Sequence, residues 1–119
     1  MDGAKGYRNL MVWKKSDELA FQIYEATKNF PKDEIFGIIY QIRRSSVSVP
    51  ANIVEGYARQ SKNEMKRFAS IALGSLAETE YYLDFSLRFG YLEKTAHQAL
   101  QDLRQETGAL LWRFHQSLK

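Results

Sequence analysis

The stretch IFGIIYQIRRSSVSVPANI, residues 35–53, decides the fold. Apolar or small residues recur within it at Ile35, Ile38, Ile39, Ile42, Ser46, Val49 and Ile53. That spacing returns to one side of a helix and does not match the strict alternation of a half-buried strand. Pro50 interrupts the pattern, because a proline inside a helix removes an amide donor and clashes one turn back, at a usual cost of about 3 kcal/mol. The stripe nevertheless resumes in phase at Ile53. The segment therefore reads as one helix, kinked near Pro50 but continuing. A full break into two short helices is the alternative.

Before this segment, Leu19, Ala20, Ile23, Tyr24 and Ala26 supply the buried side of a first helix over about Val12–Asn29, with Trp13 at its start and Phe30 at its end. Phe30, Pro31 and Lys32 break the chain. Pro31 suits the first turn of the second helix, and Asp33 and Glu34 favour its positive end. After it, Gly56 to Gln60 reads as a turn, and Ser61-Lys-Asn-Glu64 has the spacing of a reciprocal helix cap. A third helix then buries Met65, Phe68, Ala72, Ser75, Leu76, Thr79, Leu83 and Ser86, with Ala69, Gly74 and Ser75 small enough for close helix approach. Gly90 suits the left-handed backbone that ends it. Ala96, Leu100, Leu103, Leu110, Phe114 and Leu118 mark the fourth.

Four stripes joined by short turns are best buried as an all-α, antiparallel up-down-up-down four-helix bundle. The 119 residues make one domain, 1–119, with a short non-helical leader at about 1–11. No apolar run reaches the roughly 20 residues that span a bilayer, so no membrane is expected, and Met1 to Tyr7 lacks the apolar centre of a secretion signal, which favours a cytoplasmic address. The chain has no cysteine, which excludes disulfides and thiolate metal sites.

The strongest functional hint is charge. Arg43, Arg44, Arg59, Lys62, Lys66 and Arg67 face only Glu55 and Glu64 between positions 43 and 67, a local +4 that exceeds the chain's net +3. These six are the candidate nucleic-acid-binding residues. Lacking a zinc finger or base-reading helix-turn-helix, they suit weak, largely sequence-nonspecific contacts to an RNA or DNA backbone. The ordinary account is that bundle faces are charged and that Arg43 or Arg59 pairs with Glu55 or a subunit neighbour. Adjacent helical residues diverge by about 100°, so Arg43 and Arg44 serve different sides.

A protein-binding scaffold is the other class. Ala69, Ala72, Ser75, Tyr81 and Tyr82 could form a self-association face, and Trp13 and Trp112 could anchor an interface, although packing within the chain accounts for the same residues. Enzyme chemistry finds little support. His97 and His115 lie about 27 Å apart along one helix, too far to share a metal. Glu78 and Glu80 point to different sides. No catalytic residue, cofactor site or metal site is expected.

Tyr7-Arg-Asn-Leu10 with Val12-Trp-Lys14, then Phe30-Pro-Lys32, then Gln41-Ile-Arg-Arg-Ser45 with Val47-Ser-Val-Pro-Ala-Asn-Ile53, Glu55, Gly56 and Arg59 resemble, in order and local spacing, the bacterial four helix bundle family also called the 23S ribosomal RNA intervening sequence protein family. Ser61, Glu64, Phe68, Gly74, Glu78 and Gly90-Tyr-Leu92 extend the likeness, while Val54 stands where the family pattern often has alanine. The resemblance implies a homo-oligomer, with a pentameric ring as its best-known form. The function expected is that of a non-enzymatic oligomeric structural or adaptor protein, with nucleic-acid binding through residues 43–67 as the alternative and a protein partner as a further option.

Overall fold

A computed structural model describes residues 6–118. Four helices account for most of them: α1 (Met11–Thr27), α2 (Ile38–Ala58), α3 (Lys62–Arg88) and α4 (Lys94–Ser117). Short 3₁₀ turns occupy Gly6–Asn9 and Lys32–Glu34, and no strand occurs among the described residues. The first of these turns lies within the expected leader, whose residues 1–5 fall outside the described residues. α1 packs on α2 and α4, and α3 packs on the same two helices, which closes the bundle.

The interface between α2 and α3 is built from small side chains. Ser45 Oγ pairs with Thr79 Oγ1 at 2.9 Å, and Ser48 Oγ pairs with Ser75 Oγ at 2.9 Å. Gly56 completes the series, since a Cβ there would come within 2.8 Å of Met65 Sδ and 3.0 Å of Phe68 Cβ. Around this contact, Leu19 and Ile23 of α1, Ile42, Val49 and Ile53 of α2, Leu83 of α3 and Leu111 of α4 are sealed from solvent. The buried hydroxyls of Ser16, Thr27, Ser46, Ser86 and Thr107 each donate to a carbonyl one turn back. No buried side-chain nitrogen or oxygen among the described residues lacks a partner, so the core carries no desolvation penalty of that kind.

α2 runs unbroken from Ile38 to Ala58 with Pro50 inside it and buried, so the two-helix alternative fails. Its ends differ from the sequence reading. Helix α2 begins at Ile38, not at Pro31, because Lys32–Glu34 closes into a 3₁₀ turn and the Glu34 carboxylate accepts the Ile38 amide at 3.4 Å. Gly56 lies within the helix, where its missing side chain admits α3. The left-handed residue that turns the chain is Gln60, with φ of 52°.

The cap of α3 is half of what the spacing predicts. Ser61 Oγ accepts from the Glu64 amide at 3.3 Å, while the Glu64 carboxylate turns to Arg59 and Arg67. All eight residues expected on the inner side of α3 are buried. Gly74 is the exception among the small residues: a Cβ there would meet nothing within 4 Å. α3 ends as expected on Gly90, with φ of 85°, and the Tyr91 and Gly90 amides reach the carbonyls of Ser86 and Leu87. In α1, Tyr24 proves exposed, while Val12, Ser16 and Thr27 join the buried side. Only Leu100, Thr107 and Leu111 of α4 are fully buried, and Leu103, Leu110 and Phe114 are half-covered.

Two glycines separate packing from helix propensity. Gly56→Ala forces Met65 and Phe68 aside and should lower unfolding free energy by about 1–2 kcal/mol, despite alanine's better propensity. Gly74→Ala meets open space and should raise it by about 0.5–1 kcal/mol, both read by denaturant titration.

The Tyr91 hydroxyl donates to Glu34 Oε2 at 2.6 Å and ties the α1–α2 connection to the α3–α4 turn. That bond, followed by burial and the negative charges of Glu34 and Asp33, pushes the Tyr91 phenol up to about 12. An unfolded tyrosine ionises near 10, so the contact contributes fully below about pH 10 and is lost as pH climbs towards 12. Tyr91→Phe should therefore be less stable than the parent at neutral pH, with the difference shrinking between pH 10 and 12 in parallel melts.

Candidate interaction surfaces

The six cations of residues 43–67 do not form one patch. Arg43 points to α1: its Nε donates to Thr27 Oγ1 at 2.8 Å, its Nη2 reaches the Tyr24 carbonyl at 3.3 Å, and its guanidinium lies 4.6 Å over the Tyr24 ring. It serves as a cap for the carbonyl end of α1, which carries partial negative charge. Arg44 turns the other way and pairs with Glu78 of α3 at 2.8 Å; hydrogen bonding to that carboxylate raises its pKa further. The divergence expected of neighbouring helical residues is therefore realised.

Arg59 sits at the α2–α3 corner, about 24 Å along the helix from Arg43. It bonds Glu55 at 3.0 Å and Glu64 at 3.3 Å, so the expected pairing with Glu55 is made within the chain. Arg67 also takes Glu64, at 3.1 Å, and both guanidiniums lie over Phe68. Hydrogen bonding to Arg67 is the main reason the Glu64 carboxyl is held below its ordinary pKa. Lys62 and Lys66 extend from the first turns of α3, and both are exposed. Arg59, Lys62, Lys66 and Arg67 thus share one corner, while Arg43 and Arg44 stand apart from it.

A second surface is aromatic, and of its residues the sequence singles out only Tyr81 as a candidate for self-association. Tyr81, Phe85, Phe89 and Tyr91 follow one another with ring centroids 5.0–6.3 Å apart, along the second half of α3 and into its exit. Tyr81 and Phe89 are about 60% exposed. Phe36, just ahead of α2, is 90% exposed, and Tyr40 and Val47 on α2 also face solvent. The steps of four in Tyr81, Phe85 and Phe89 are a signal, but the stripe beside them, which is the true core, has a similar period. Ala69, Ala72 and Ser75, by contrast, are covered by the chain's own packing. Trp13 is half-buried, and Trp112 is exposed beside His115.

The histidines serve separate pairs: His97 Nε2 lies 2.8 Å from Asp84, and His115 Nε2 lies 2.9 Å from Ser70 Oγ. No group of three or more candidate metal ligands occurs among the described residues. No helix of the described chain is long and apolar enough to cross a membrane.

These features define an all-α four-helix protein whose arginines are mostly used in its own framework and whose exposed chemistry is aromatic. The chain belongs to the family described as 23S rRNA-intervening sequence protein, whose profile matches residues 8–113. It is also similar to a solved structure, a protein of unknown function from the S23 ribosomal protein family of Bacteroides thetaiotaomicron VPI-5482. The two are 30% identical with a TM-score of 0.81, over 88% of this chain and 95% of that one. No curated protein matches the chain.

Arg43 offers a test of the framework role. Arg43→Ala should cost about 1–2 kcal/mol by removing the Thr27 bond and the ring contact. Arg43→Lys should recover little, because an ammonium cannot make both bonds and stack. Thermal melts of the two variants beside the parent would check this.

Proposed function

We propose that this chain is a homo-oligomeric structural or adaptor protein that works without catalysis, assembling as the pentameric ring its family resemblance implies. The observation that carries this reading is the aromatic run Tyr81, Phe85 and Phe89, exposed at both ends, together with the exposed Phe36 and Tyr40. Monomeric proteins rarely leave contiguous apolar surface of that kind in water, whereas subunit interfaces are enriched in tyrosine and phenylalanine. A second copy covering it removes that surface without any change in the bundle. The same reading takes the helices as alternating up-down-up-down, with α2 bent at Pro50. Support for the order comes from the α2–α3 contacts of Ser45 with Thr79, Ser48 with Ser75 and Gly56 with Phe68, whose numbers rise on one helix as they fall on the other. A cytoplasmic location belongs to the same proposal.

Native mass spectrometry and sedimentation equilibrium test the assembly. The parent chain should be a multimer, and Phe36→Ser combined with Tyr81→Glu should shift it to monomer with helicity retained. A parent that is monomeric across a broad concentration range would overturn the proposal.

The second reading is weak, largely sequence-nonspecific RNA or DNA binding through residues 43–67. The corner formed by Arg59, Lys62, Lys66 and Arg67 favours it, and a ring would repeat that corner around its axis. Reversing Arg59, Lys62 and Lys66 to glutamate should weaken binding to a mixed-sequence RNA and flatten its salt dependence. Binding unchanged in both respects would remove this reading and leave the oligomer untouched.

A further inference from the structure

Gly56, Gly74 and Gly108 lie inside the helices. Each forfeits helix propensity, and two of them regain it in packing. A Cβ on Gly56 would reach Met65 Sδ at 2.8 Å, and one on Gly108 would reach Leu76 Cδ2 at 3.3 Å. Gly74 regains nothing within the chain. It stands exposed in the middle of α3, and a Cβ there would meet nothing within 4 Å. The close helix approach that a small residue permits has no partner helix at this position.

The surface around Gly74 has the pattern of a seam for one more helix. Ile71, Gly74, Glu78, Tyr81 and Phe85 follow at steps of three and four along the outer side of α3, beside the stripe that forms the core. On α2, Arg44, Val47 and Ala51 repeat those steps, and all three are exposed. Such a repeat is what interlocking helix-on-helix packing requires. Ile71 is 42% exposed and Val47 40%, so apolar surface lies open on both sides of the seam. The polar groups between them are already satisfied. Ser48 pairs with Ser75 at 2.9 Å, the Asn52 amide donates to the Ser48 carbonyl at 2.7 Å, and Arg44 pairs with Glu78 at 2.8 Å. Covering the seam would strand none of these side chains without a partner, which keeps the cost of burial low.

We propose that a helix of a second copy of this chain lies along the α2–α3 seam and comes closest at Gly74, so that the missing side chain serves the assembly and not the fold. This rests on the oligomer proposed from the aromatic run, and it extends that interface from the exposed rings along the seam. The occupant is a helix because the repeat runs straight for about 21 Å from Ile71 to Phe85 and because a glycine on such a line admits a neighbouring backbone. It is another copy because the stripe passes without a break into Tyr81 and Phe85, the rings that the second copy covers. The Arg44–Glu78 pair leaves the seam neutral, which offers phosphate nothing and does not repel a chain that itself carries +3.

Sedimentation equilibrium of the full-length chain tests the seam. Gly74→Ala should weaken association by roughly tenfold, and Gly74→Leu should leave monomer, both with parental helicity by circular dichroism. Gln105→Leu, on the exposed side of α4, should assemble as the parent does and controls for added apolar area. In a monomeric background carrying Phe36→Ser and Tyr81→Glu, where the seam is uncovered, Gly74→Ala should instead raise the denaturant midpoint. The alanine variant keeps the test decisive if the leucine variant fails to fold, because alanine favours the helix. A multimeric parent whose alanine variant associates as tightly or more tightly would overturn this inference and leave the oligomer standing, with some other occupant for the seam. A midpoint that falls in the monomeric background would assign Gly74 to the fold and overturn it too. A parent that stays monomeric across a broad concentration range would overturn both this inference and the oligomer.

Discussion

The structure depends on how closely α2 and α3 approach. Two helices with leucine or isoleucine at every contact are held apart by their side chains, whereas Ser45, Ser48, Gly56, Ala69, Ala72 and Ser75 let these two backbones come near. Closeness creates a polar problem, since the hydroxyls that make it affordable are then cut off from water. The Ser45–Thr79 and Ser48–Ser75 pairs answer it, together with the carbonyls one turn back. With that pair seated, α1 and α4 need only lay their stripes over it, and α4, the least buried helix, does so shallowly.

The same constraint explains what becomes of the charge. An arginine near a tight helix pair finds carboxylates and carbonyl ends within reach before it finds a ligand. Arg43 takes the end of α1, Arg44 takes Glu78, and Arg59 and Arg67 share Glu64. A charge count along the sequence treats these groups as one basic segment. In space they act at three places, and only the α2–α3 corner keeps several cations together.

Legibility in the sequence followed the strength of the local signal. The inner side of α3, the continuity of α2 through Pro50, the Ser61 cap and the Gly90 exit were readable because each rests on residue spacing or on backbone chemistry within one or two turns. The start of α2 was misread at Pro31, where a proline and two acids imitate a helix opening that Glu34 actually caps from a 3₁₀ turn. Gly56 reads as a turn residue because glycine breaks helices in isolation, yet here its missing side chain is what the neighbouring helix requires. Arg43 and Arg59 were recognised as candidates for packing, but Thr27 and Tyr24, sixteen and nineteen positions away from Arg43, carry no trace of it in the sequence.

Helicity, most helix boundaries and the inward stripe of each helix are legible in the residues alone, because these follow from contacts three or four residues apart. The absence of thiol chemistry is legible too, by composition. The packing of the four helices settles which cations are already engaged, that Tyr81 and Phe89 face water, and that the Gly6–Asn9 turn, Met65 and Phe114 line one half-open pocket. Those properties depend on distances between segments far apart in the chain, and such distances exist only once all four helices have packed.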